Sequence, residues 1–163
     1  MSLLERVGVD ARSDRSLFVL DAPCPADVPS ELDVDGQFVC LLAWDATTVP
    51  GAEVSTLAER LLQAGCVYIC AWGPACDRVH ASFDEAAVTR SPEGPCVMST
   101  SHEGESLEVA LWFLLVCASP DHAFADGCRS AVAISIGAPS WAAAMRAAMV
   151  DPDGFTARVV GDG

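Results

Sequence analysis

The sequence predicts one α/β domain, a three-layer Rossmann-like or flavodoxin-like sandwich with a mainly parallel sheet. Three observations carry this. Two eight- and seven-residue runs, Gln37 to Trp44 (QFVCLLAW) and Cys66 to Trp72 (CVYICAW), are apolar at successive positions. Unbroken apolar runs of that length mark strands buried on both faces of a parallel sheet. Strand-like and helix-like segments also alternate four times, as right-handed βαβ crossovers require. Finally, a chain of 163 residues with 52% hydrophobic residues suits one core and leaves little room for a second domain.

Each element follows from local pattern. Residues 1–15 are polar and mixed and are expected to fray as a flexible N-terminus, leaving 16–160 as the single α/β domain. Ser16 to Asp21 reads as a short strand. Ala22 to Gly36 carries Pro23, Pro25 and Pro29 and reads as a loop. After the first two-sided strand, Ala52 to Ala64 places Leu57, Ala58, Leu61 and Leu62 at helical spacing, with Ser55 or Thr56 as cap and Gly65 as stop. The second two-sided strand leads to an amphipathic helix, Ala75 to Val88. Cys96 to Thr100 is a third strand. Ser106 to Ala118 (SLEVALWFLLVCA) is a helix apolar nearly all round, so it must be covered on most sides. Arg129 to Gly137 is a fourth strand. Ser140 is expected to cap a helix over Trp141 to Val150, and Phe155 to Val160 (FTARVV) reads as a last strand. The two terminal strands are expected at the sheet edges.

Charge narrows the function classes. Nine Lys+Arg stand against 23 Asp+Glu, a formal net charge of −14, and every cation is Arg. A polyanion would meet repulsion, so nucleic-acid binding is disfavoured. Absence of Lys removes Schiff-base and phosphate-loop lysines. The longest apolar run, Val109 to Ala118, is far short of the roughly 20 residues a membrane span needs. No secretory signal is read at the N-terminus, and the eight Cys form no CxxC pair. The expectation is a cytoplasmic protein with reduced thiols, no metal, no cofactor, and an unknown protein or small molecule as partner. GxGxxG, GxxxxGK, GxSxG and HExxH are all absent.

In a parallel sheet, ligands bind outside the carboxyl ends of the strands. That rule gathers Asp45 and Thr47 after one strand, Trp72 and Cys76 after the next, and Thr100, Ser101, His102 and Glu103 after the third. His102 is the candidate acid or base, since imidazole titrates near neutrality. Asp45 is the candidate carboxylate to orient it. The competing reading makes His102 and Glu103 loop and cap groups, with Glu103, Glu105 and Glu108 favouring the positive helix end. Cys76 and His80, four apart, share a helix face. They fit a Cys–His pair or plain packing. Trp44 and Trp72 fit a ligand wall or cap-layer packing. Two functions stay open: a binding module acting through the strand-end crevice, or a small hydrolase-type enzyme using His102 and Asp45.

The stretches AWGPACDRVHASFDE (71–85), TSHEGESLEVALWF (100–113) and FADGCRSAVAISIGAPSWA (124–142) resemble an uncharacterised family of small bacterial domains of unknown function. The likeness spans about residues 37 to 150. It implies a bacterial, cytosolic domain and assigns no catalytic residue.

Overall fold

The computed structural model describes residues 3–161. Six strands form one sheet. In chain order they are β1 (Leu3–Asp10), β2 (Arg15–Ala22), β3 (Gln37–Ala43), β4 (Cys66–Trp72), β5 (Met98–Ser101) and β6 (Cys128–Ile136). Across the sheet they run β1-β2-β6-β3-β4-β5. Only the β1–β2 pair is antiparallel; the others are parallel. The helices are α1 (Gly51–Ala64), α2 (Cys76–Arg90), α3 (Leu107–Val116), α4 (Pro139–Met149) and α5 (Pro152–Gly161). The three-layer α/β fold is as the pattern predicts.

The two apolar runs lie side by side and point the same way, with Ala43 level with Trp72. The chain advances from β3 through β5 with α1 and α2 on one face. Then α3 returns across the other face and inserts β6 between β2 and β3. Each face therefore has its own core. Cys40, Leu42, Leu57, Leu61, Ile69, Phe83 and Ile134 fill the α1/α2 side. Leu41, Cys70, Leu111, Leu114, Met145 and Phe155 fill the α3/α4/α5 side. Val28, Leu32 and Val34 of the Pro-rich coil also join the α1/α2-side core, beside Phe18 and Leu20 of β2 and Val132 and Ile134 of β6.

Several elements depart from the sequence reading. Residues 3–10 do not fray: they form β1, a hairpin partner of β2, so β2 is an inner strand and not an edge. The charges of Glu5 and Arg6 sit where an edge strand meets solvent, which hides its strand character. The Phe155 to Val160 segment is helical, not a strand. Asp151 accepts the Gly154 amide at 3.2 Å and Pro152 occupies the first turn. This start signal outweighs the β-branched residues behind it. Ser140 does not cap α4: the helix starts at Pro139 after Ala138. Likewise α1 starts at Gly51, and the Thr56 hydroxyl bonds back to the Ala52 carbonyl inside the helix. Gly65 does stop α1, at φ +110°. Ser106 caps α3, accepting the Val109 amide at 3.2 Å. Among the described residues no helix is long and apolar enough to cross a membrane.

Candidate functional site

The carboxyl end of β5 delivers the polar residues. Strand alternation sends Ser99 and Ser101 toward α2, and Thr100 toward α3. Ser101 donates to Asp77 and its oxygen lies 3.4 Å from the Cys76 sulfur, while Ser99 donates to Asp84. Asp84 also meets His80 at 3.5 Å. The chain then turns into His102, whose amide continues the ladder onto the Ala71 carbonyl at 2.9 Å.

His102 is 4% exposed, and both its ring nitrogens are bonded. Nδ1 lies 2.8 Å from Glu105 Oε2, and Nε2 lies 2.8 Å from Thr100 Oγ1. An ionised carboxylate only accepts, so Glu105 fixes the proton on Nδ1 and leaves Nε2 to accept from the Thr100 hydroxyl. The ring meets Phe113 edge-on at a centroid distance of 4.7 Å. Thr100 also contacts the side chains of Tyr68 and Cys70. Burial pushes the Cys70 thiol up to about 12, against a lowering by Thr100, so Cys70 stays protonated. Burial raises the Tyr68 phenol in the same way.

Asp45 does not orient His102. Its carboxylate accepts the Thr47 hydroxyl at 2.7 Å and the Thr47 amide at 3.1 Å, closing its own turn. These bonds hold its carboxyl below the ordinary range. Glu105, three residues after His102, takes the orienting place. The His-x-x-Glu spacing ahead of the Ser106 cap is the sequence signal for it, and it is masked because glutamates before a helix also serve its positive end. The loop holding Asp45 and Thr47 lies beside the next one, with Trp44 N bonded to Trp72 O and Ala46 N to Pro74 O. Neither side chain lines the depression described next.

That depression has a volume of about 280 Å³ and sits over the ends of β4 and β5. Trp72, Gly73, Pro74, Ala75, His102, Glu103, Gly104 and Glu105 line it. Its backbone is shaped by left-handed residues: Gly73 at φ +116°, Gly104 at +75°, and Ala75 at +60°. A Cβ at Gly73 would strike the Trp44 carbonyl. Ala75 has no such excuse: a non-glycine residue in this region is strained, and such strain gathers at functional sites. The Trp72 indole donates to the Glu105 carbonyl at 2.8 Å and stands edge-on to Trp141, 5.0 Å between centroids.

The rim is acidic. Asp77 and Glu103 lie within hydrogen-bonding reach of each other. Asp77, hydrogen-bonded by Ser101 and then Glu103, is held below its ordinary value. Glu103, facing Asp77, is raised. The pair thus retains a proton on Glu103 into a range where a lone glutamate has lost it. The nearest arginine on α2, Arg78, is committed to the carbonyls of Ala46 and Val49.

The sequence profile of one family, described as Domain of unknown function (DUF7684), matches residues 18–152. The chain belongs to this family. The DUF7684 span holds the whole parallel sheet except the first three residues of β2, all of α1 to α4, and every residue lining the depression. It leaves out β1 and nearly all of α5. No protein of curated function and no solved structure matches the chain.

Of the other sequence candidates, Trp72, Thr100, Ser101, His102 and Glu103 do converge on this end of β4 and β5. Cys76 is buried under it against Ser101, and His80 turns to Asp84, so the two do not pair. Trp44 packs in the α1/α2 core and Trp72 on the opposite side of the sheet, so they form no common wall. Among the described residues no cluster of His, Cys, Asp and Glu has the arrangement of a metal site.

Proposed function

We propose that this chain is a cytoplasmic bacterial binding module that takes a small organic cation in the crevice at the ends of β4 and β5. The observation that carries the reading is the crevice lining: Glu103, Glu105 and the Trp72 indole, with no arginine among them. Carboxylates beside an aromatic face suit an amine or guanidinium, through charge-assisted hydrogen bonds and cation–π attraction. The Asp77–Glu103 pair adds to this, since an arriving cation replaces the shared proton. At about 280 Å³ the space suits a ligand of metabolite size. Eight free cysteines support a reducing compartment, and the bacterial assignment is supported by the motif resemblance. Calorimetric titration with 1,4-diaminobutane and with agmatine tests it. Binding that weakens as the pH is lowered, and that is lost in Glu103→Gln, is expected. An affinity unchanged by Glu103→Gln overturns the reading.

The second reading, a small hydrolase-type enzyme, is favoured by one observation, the Glu105–His102–Thr100 array with its two 2.8 Å contacts. There His102 is the base for the Thr100 hydroxyl or a water, and Glu105 replaces Asp45 as its orienter. Ester hydrolysis that disappears in Thr100→Val and in His102→Gln would support it; absence of turnover by the intact chain sinks it.

A further inference from the structure

A second cavity lies between the Pro-rich coil and α1, and shares no lining residue with the β4–β5 crevice. It measures about 320 Å³, room for about ten water-sized groups. The Pro-rich coil supplies Cys24, Pro25 and Ala26, and α1 supplies Ala52, Leu57 and Arg60. The lining is chiefly apolar, with Leu57 buried at its floor.

Arg60 is the one cation in the lining. Its Nη1 donates to three coil carbonyls, those of Pro25 at 3.5 Å, Ala26 at 3.1 Å and Val28 at 3.2 Å. These contacts hold the guanidinium still. Its Nε and Nη2 have no hydrogen-bond partner among the described residues. Among the described residues Arg60 meets no carboxylate within 4 Å, whereas Arg6, Arg12 and Arg146 are ion-paired; Arg15, Arg78, Arg90, Arg129 and Arg158 share this lack of an acidic partner, but none of them lines the cavity. The one carboxylate on the cavity rim, Glu53, stands seven residues away, about 10 Å along the helix axis. A fixed, unneutralised guanidinium beside an apolar floor is prearranged for an anion with a hydrocarbon tail.

We infer that this cavity is a binding site for a small aliphatic carboxylic acid, its carboxylate on the free edge of Arg60 and its chain on Pro25, Ala52 and Leu57. The site is independent of the β4–β5 crevice and of its ligand.

Octanoate is the probe, added to the full chain and followed by amide and arginine Nε–H resonances. Shifts are expected at Ala26, Leu57 and the Arg60 side chain, with affinity at least tenfold above that of 1-octanol. Octylamine, which keeps the tail and reverses the charge, should bind at least tenfold more weakly than octanoate. Arg60→Gln should erase the advantage of octanoate over octanol. Because Arg60 also ties down the coil, Thr56→Trp provides an independent variant: it fills the cavity mouth from an exposed position and leaves the clamp intact. It should weaken octanoate at least tenfold. Equal affinity for octanoate and octanol, or octanoate shifts that persist in Thr56→Trp, would overturn the assignment.

Discussion

The middle and the β5 edge of the sheet are held by different forces. At the centre, β3 and β6 bury nearly every side chain, and Val39, Leu41, Val132 and Ile134 belong to the apolar cores of the two faces. At the edge, β5 is four residues long and contributes Met98, Ser99, Thr100 and Ser101. Polar bonds fix it: Ser99 to Asp84, Ser101 to Asp77, Thr100 to His102. Burial is non-directional and strong per residue, whereas each hydrogen bond contributes about 0.5–1.5 kcal/mol net and constrains direction. The centre therefore supplies stability, and the edge supplies orientation. The crevice stands over the region where orientation matters.

Mutations can sharpen that contrast. The largest loss is expected at the centre and the helix covering it. Leu41→Ala and Leu111→Ala each remove a fully buried side chain and should cost about 2–5 kcal/mol in denaturant unfolding. His102→Ala should come next, at about 1–3 kcal/mol, because a buried ring loses two hydrogen bonds and its Phe113 contact. A melting temperature unchanged by this substitution would mean that the ring's bonds are not structural. Ser106→Ala, which uncaps α3, should cost about 0.5–2 kcal/mol. Ser99→Ala should cost less still, about 1 kcal/mol or below, since its partner Asp84 remains half-exposed to water. A Ser99 loss rivalling that of Leu41 would erase the distinction between centre and edge.

The smallest stability effect belongs to the carboxyl pair at the rim, where pH is the probe. Asp77 is lowered in the fold, so its contribution is present above the ordinary carboxylate range and fades as pH falls through its depressed value. Glu103 is raised, so its contribution is present in acid and fades as pH rises through its elevated value. The two oppose each other, and stability changes little. Carboxyl-carbon NMR separates them: the Glu103 midpoint should lie above that of a free glutamate and the Asp77 midpoint below that of a free aspartate. Asp77→Asn should return Glu103 toward its ordinary midpoint. If Glu103 does not move, the two side chains do not share a proton.

The same contrast explains what could be read from residue order alone. QFVCLLAW, CVYICAW and RSAVAISIG are legible because central strands must be apolar on both faces. The nearly all-apolar α3 is legible because it lies across β3, β4 and β6 with α4 and α5 against it. Edge elements carry weaker marks. In β1 the charged Glu5 and Arg6 mask the pairing with β2, and in α5 the Thr156, Val159 and Val160 side chains mimic a strand. The rule that ligands gather at strand ends brought Trp72, Thr100, His102 and Glu103 to one place. It could not say which acid meets His102, because that depends on side-chain direction in two loops. Asp45 turns to Thr47, and Glu105 folds back under its own helix cap.

The pairing of β1 with β2 slips by one residue between Arg6 and Gly8. On the outermost strand of an open sheet, this slip puts the outward amides and carbonyls out of step with any straight strand laid alongside. A second molecule approaching this margin meets a ladder with a missing rung. The slip therefore works against growth of the sheet from molecule to molecule across this margin.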